Sequence, residues 1–136
     1  MDELIIDAKK ENLYIVQNFA AKKLEDANCP KKLHTKIAVV IEEVFVNIVS
    51  YAYNSGTGSV TLRVIINDDD ISIEFEDCGK PYNPLDKKDP DIHVDLNERG
   101  DGGLGIYMVK NMADTINYKR LENRNVQTVR FLTSPQ

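Results

Sequence analysis

The sequence predicts an α+β fold, a two-layer sandwich, and three observations predict it. Two long segments carry apolar residues at helical three- and four-residue steps. Two pairs of short, β-branched, alternating segments are each joined by a tight polar turn. Helical and strand-like segments come in runs and hairpins, which points away from a strictly alternating parallel α/β chain. At 136 residues the chain is long enough for one domain, 1–136, with one core, and too short for two.

Residues 3–7 (ELIID) read as a short strand. Residues 10–27 read as an amphipathic helix with Leu13, Val16, Ala20 and Leu24 on one face; Asn28 and Pro30 stop it. Residues 31–53 read as a longer helix, in which Leu33, Ile37, Ile41, Val44, Ile48 and Ala52 make one buried stripe. The NSGTG turn (54–58) leads to strands 59–66 (SVTLRVII) and 71–77 (ISIEFED), a hairpin around NDDD. Residues 80–101 break the pattern, with Pro81, Pro84 and Pro90, many charges and little periodicity. A stretch of that length in a small domain reads as a lid or an insert. A third helix is expected over 103–114, and strands 115–121 and 125–133 close the chain as a hairpin around ENRN.

Composition excludes several classes. Hydrophobic residues at 42% and charged residues at 29% are ordinary for a soluble globular chain. The net charge of -5 and the lack of any Lys/Arg-rich window argue against nucleic acid as a partner. No apolar run approaches the ~20 residues of a membrane span. The start, MDELIIDAKKEN, lacks the basic and apolar regions of a signal peptide, so a cytoplasmic, non-membrane protein is expected. Cys29 and Cys78 lack metal-ligand spacing and read as two buried thiols. His34 and His93 read as surface residues.

Three motifs carry chemistry. In the second helix, Glu43 and Asn47 lie within ~40° of each other at about 100° per residue, at the edge of the apolar stripe. The Asn47 amide offers a neutral oxygen suited to magnesium. Glu43, one turn earlier, is placed to accept a proton from an attacking hydroxyl. The same pair also fits two ordinary solvent-facing polar residues. Asp77 ends a strand ahead of Gly79 and Pro81. Its carboxylate can accept a hydrogen bond from an exocyclic amine such as that of adenine. Gly79 lets the backbone approach a flat ligand, and Pro81 sets the chain exit; a plain strand-ending turn has the same composition. Last, Arg99-Gly100-Asp101-Gly102-Gly103-Leu104-Gly105 runs into a helix. Glycines before a helix expose backbone N–H groups to phosphate, although a hinge also uses them. The spacing fits neither a Walker loop nor a dinucleotide fingerprint.

Taken together, EEVFVNIVSYAY (42–53), FEDCGKPYNPL (75–85) and GGLGIYMVKNMAD (102–114) resemble the N, G1 and G2 boxes of the GHKL ATPase superfamily. Within it the chain is similar to the anti-sigma factor serine/threonine kinases of the SpoIIAB and RsbW type, over nearly its whole length. The resemblance implies a Bergerat ATP-binding fold, a mixed, mostly antiparallel sheet covered by helices on one face. It implies ATP and Mg2+ as cofactors. Glu43 would be the general base, with Arg99 stabilising the charge of the transferring phosphate. Asn47 would bind the metal, and Asp77, Gly79 and Pro81 would form the adenine site. Gly102, Gly103, Leu104 and Gly105 would cradle phosphates, and Thr128 would support the adenine pocket. Residues of about 80–101 would be the ATP lid.

The chain departs from the pattern at Asp101, where relatives often carry Gly, and at Gln127, where a Gly is usual before the adenine-side Thr. The implied partners are an anti-sigma factor antagonist of the STAS type and a sigma factor, with homodimerisation expected. Two other readings use the same pocket: a non-catalytic ATP- or ADP-binding interaction module, and a detached histidine-kinase-like ATPase domain. Glu43 favours the kinase over the first, because a pure binder has no use for a base there. The strand start at residue 3 and the lack of a phosphoacceptor helix argue against the second.

Overall fold

The structure, a computed structural model, describes residues 3–53, 58–86 and 103–133. Five strands form one sheet: β1 (Glu3–Asp7), β2 (Ser59–Ile66), β3 (Asp70–Asp77), β4 (Thr115–Leu121) and β5 (Arg124–Leu132). Their spatial order is β1-β2-β3-β5-β4, and all four pairings are antiparallel. Both expected hairpins are present. In the first, Asn67 N–H donates to Asp70 O at 2.9 Å and the Asn67 amide to Asp70 Oδ1 at 2.8 Å. The second turn is tighter than the ENRN span suggests, because Glu122 adopts a left-handed φ of 56° and β5 begins at Arg124.

Period-two alternation sorts the sheet into a core face and an outer face. Val60 and Leu62 of β2, Ile71, Ile73 and Phe75 of β3, and Val129 and Phe131 of β5 are all buried. The outer face carries charge: Arg63 bonds Glu3 and Glu74 at 2.8 Å and Glu76 at 3.1 Å, and Arg130 bonds Asp70 at 2.7 Å.

The helices cover the core face. A 3-10 turn at Lys10–Asn12 precedes α1 (Leu13–Asp26), which buries Val16, Ala20 and Leu24. The stop at Asn28 has a mechanism: with Asn28 at φ 57°, Cys29 N–H reaches Leu24 O and Asn28 N–H reaches Glu25 O, both at 3.0 Å. These two bonds satisfy two of the free carbonyls in the last turn of the helix. The second helix, α2 (Lys31–Asn47), buries the expected stripe and packs against both α1 and α3 (Gly103–Met112). Its regular part stops earlier than expected. From Ile48 to Ala52 the chain widens into a π turn that keeps Ile48 and Ala52 in the core. The Ala52 carbonyl then accepts Lys80 N–H at 3.0 Å, which ties the end of the helix to the segment after β3.

Among the described residues no helix is long and apolar enough to cross a membrane. Both cysteines are free; Cys29 is half-buried, but Cys78 is exposed, because it follows Asp77 out of the sheet edge. His34 is half-buried in α2, and His93 lies outside the described residues.

Candidate nucleotide site

The last turn of α2 holds the two polar residues on which the site rests. The Asn47 side chain is 5% exposed and donates from Nδ2 to the Glu43 carbonyl at 2.9 Å. A carbonyl can only accept, so the amino group must occupy this bond, which leaves Oδ1 as the acceptor end of the amide. Glu43 is half-buried, and burial, reinforced by Glu42, holds its carboxyl above the usual value. Its Oε2 lies against the Cα of Gly105: a methyl group there would overlap it. The first turn of α3 therefore seats directly on the carboxylate, and a larger residue at 105 would require the Glu43 side chain to move aside. Glu43, Asn47 and Gly105 share the lining of a cavity of about 330 Å3 with Lys10, Val46, Ser50 and Tyr51.

Asp77, at the end of β3, is 2% exposed. Its Oδ1 accepts Gly79 N–H at 2.9 Å and Asn125 Nδ2 at 2.8 Å. Burial nonetheless pushes the carboxyl above its ordinary value, against the lowering pull of those two bonds and of Arg120. Gly79 packs on the π turn, and a Cβ there would run into the Ala52 carbonyl. Arg120 Nη1 donates to Gly79 O at 2.8 Å and holds the turn from the other side. The Asn125 amide also donates to Lys80 O at 2.8 Å, and its Oδ1 accepts from the Tyr118 hydroxyl and Tyr82 N–H. Tyr82 stacks on Tyr51, with ring centroids 5.2 Å apart at 22°. Since Tyr51 lines the cavity, this stack joins the Asp77 end to the Glu43 end.

Of the residues singled out from the sequence, Glu43, Asn47 and Gly105 meet in one cavity, and Asp77 and Gly79 form one turn beside it. Gly103 opens α3, and Pro81 is exposed on the outgoing chain. Arg99, Gly102 and the lid beyond residue 86 lie outside the described residues, as does the Leu104 side chain. The start of the lid contains a short 3-10 turn, Pro84–Asp86.

Thr128 is a correction. It stands opposite Glu74 and Asn117, on the outer face of the sheet, whereas Asp77 pairs with Asn125 on the helix-covered face. Directly opposed residues share a face, so the inward residue is Gln127, which is 2% exposed. Its Oε1 has no hydrogen-bond partner among the described residues. Sequence reading also missed Asn125, Lys10 and Tyr51. Alternation counted along 124–132 from the buried Val129 would have found Asn125 and Gln127; Lys10 and Tyr51 carry no local signal.

The residues present fit a magnesium nucleotide. A neutral amide oxygen is a donor that magnesium accepts alongside phosphate oxygens. A helix N-terminus that opens on glycine is suited to phosphate, and the cavity volume lies within the range of small-molecule sites.

A serine-protein kinase RsbW from Bacillus cereus is 24% identical to this chain over 153 aligned positions, covering 98% of this chain and 86% of that protein. Serine-protein kinases RsbW from Bacillus thuringiensis and Bacillus mycoides are similar to the same extent. Residues 6–131 match the histidine kinase-like ATPase domain, and the chain belongs to that GHKL-type family.

Proposed function

We propose that this protein is an ATP-dependent serine/threonine protein kinase of the anti-sigma type, which phosphorylates an anti-sigma factor antagonist and sequesters a sigma factor. The observation that carries the reading is the seating of the Glu43 carboxylate on Gly105, beside Asn47, in a cavity of about 330 Å3. The similarity to proteins named serine-protein kinase RsbW supports it.

In this reading Asp77 accepts the adenine amine, and the N-terminal turn of α3 faces the phosphates. Asn47 Oδ1 holds Mg2+, which when bound draws charge from the phosphate oxygens. Arg99 adds positive charge near the transferring group. Glu43 takes the proton of the attacking serine or threonine hydroxyl, and its raised pKa makes it a stronger base than an exposed glutamate. The remaining work is positioning, as in phosphoryl transfer generally. The added phosphate would release the antagonist by placing about two negative charges in its interface. The kinase acts as a cytoplasmic homodimer, with the antagonist a STAS-type domain.

A non-catalytic ATP- or ADP-binding module would use the same cavity but leave Glu43 without a task. The two readings separate on Glu43→Gln and Asn47→Ala. Calorimetry should show magnesium-dependent ATP binding by the native protein and by Glu43→Gln, and its loss in Asn47→Ala. Phosphotransfer to the antagonist should fall by about 100-fold or more in Glu43→Gln. Full phosphotransfer by that variant would end the general-base role.

A further inference from the structure

The cavity receives a cation from a part of the chain outside the three motifs. Lys10 begins the 3-10 turn after β1, and it lines the same cavity as Glu43, Asn47 and Gly105. The turn is anchored at its base. Ala8 N–H donates to Gly58 O at 2.9 Å, Asn12 N–H to Lys9 O at 2.9 Å, and the Asn12 amide to Asp7 O at 3.0 Å. Lys10 is exposed, and among the described residues it has no ion-pair partner.

The charge balance of the cavity gives this lysine a task. Among the described lining residues the charged side chains are Glu43 and Lys10; Asn47, Ser50 and Tyr51 are neutral. A carboxylate repels an incoming polyphosphate, and the more so at short range in a part-buried site. An ammonium on a flexible four-carbon stem offsets it as a mobile point charge. Lys10 and Glu43 also line one chamber, and the phosphate to be transferred must lie beside the carboxylate if Glu43 is the base.

We propose that Lys10 binds the terminal phosphate of the nucleotide and thereby selects the triphosphate over the diphosphate. This inference rests on the nucleotide reading of the cavity. It adds to that reading a contact made by the turn that precedes α1, far in sequence from the glycine-rich segment.

The test is calorimetric titration of the full chain with ATP, ADP and adenosine, each with magnesium, for the native protein, Lys10→Gln, Lys10→Arg and the neighbouring control Lys9→Gln. Lys10→Gln should weaken ATP binding about tenfold, the size of one lost charge-assisted hydrogen bond. It should change ADP binding less than about twofold and leave adenosine unaffected. Lys10→Arg should recover most of the loss, and Lys9→Gln should match the native protein. The ATP affinity of Lys10→Gln should also depend less on salt than that of the native protein. An equal loss for ATP and ADP overturns the assignment to the terminal phosphate. Native-like ATP binding by Lys10→Gln overturns the proposal and leaves the nucleotide reading standing. If the native protein binds no nucleotide, the nucleotide reading fails first and the proposal falls with it.

Discussion

Asp77 is where recognition and stability oppose each other. The carboxylate is buried and its pKa is raised, so the folded protein binds the Asp77 proton more tightly than the unfolded chain does. The linkage sign follows: the favourable contribution is complete below the ordinary aspartate pKa and is lost as pH rises through the folded value. At neutral pH the ionised group therefore destabilises the fold, while the proposed adenine site needs it as an acceptor. Asp77→Asn should raise the urea midpoint at pH 7, because its amide oxygen can still accept from Gly79 and Asn125. That advantage should shrink as pH falls through the raised folded value toward the ordinary aspartate pKa, and stay constant below it. The same variant should lose adenine nucleotide binding, and native affinity should begin to fall on acidification at a higher pH than an exposed aspartate would give. Gln127 sets a second tension at this scale, since its buried acceptor has no partner among the described residues, and such a group costs ~1–3 kcal/mol.

Among the elements, α2 does most to build the site, and its π turn is the decisive detail. A helix continued regularly to residue 53 would leave the Ala52 carbonyl among its free C-terminal acceptors, pointing on along the helix axis. The wider turn instead offers it to Lys80 N–H, across the face of Gly79. Such turns recur inside helices at functional sites. The Gly79 contact is made by the protein's own backbone, so this glycine serves the docking of β3 onto α2 whatever ligand also meets it. Gly79→Ala should cost roughly 1–3 kcal/mol of stability through overpacking. It should also weaken nucleotide binding, because Asp77 Oδ1 is held by the amide of residue 79. Chemical denaturation and calorimetry on the same variant would check both. Unaltered stability would show that the turn yields at little cost.

For the whole molecule, the central strand and the central helix converge on the site. β3 is paired on both edges, and α2 is packed by helices on both sides. Glu43 and Asp77 stand near the ends of these two best-supported elements, so the core that stabilises the domain also positions its chemistry. Phe75→Ala, in the middle of β3 and fully buried, should cost about 3–5 kcal/mol. Ile5→Ala, on an edge strand and 63% exposed, should change stability by no more than about 0.5 kcal/mol. Urea melts with matching slopes by fluorescence and circular dichroism would test both values and the single cooperative core.

Local chemistry made much of this legible in advance. The apolar stripe of residues 33–52 specified the buried face of α2, and alternation specified the hairpin strands, because both periodicities are properties of the backbone. Glu43, Asn47, Asp77 and Gly105 could be singled out because their residue types and spacings bear chemistry without reference to distant partners. Thr128 lies on the outer face and Gln127 on the inner one, since a one-residue shift in a strand exchanges inside for outside. Register is decided by pairing with β3 and β4, which no short window contains. The same reason hid Lys10, Asn125 and the Tyr51–Tyr82 stack: each gains its role from a neighbour more than five residues away in sequence. The sequence by itself determined the elements, the buried faces and the chemical types of the site. Only the tertiary structure decided which residues share a cavity, because proximity across the sheet and between helices is set by long-range packing, not by local propensity.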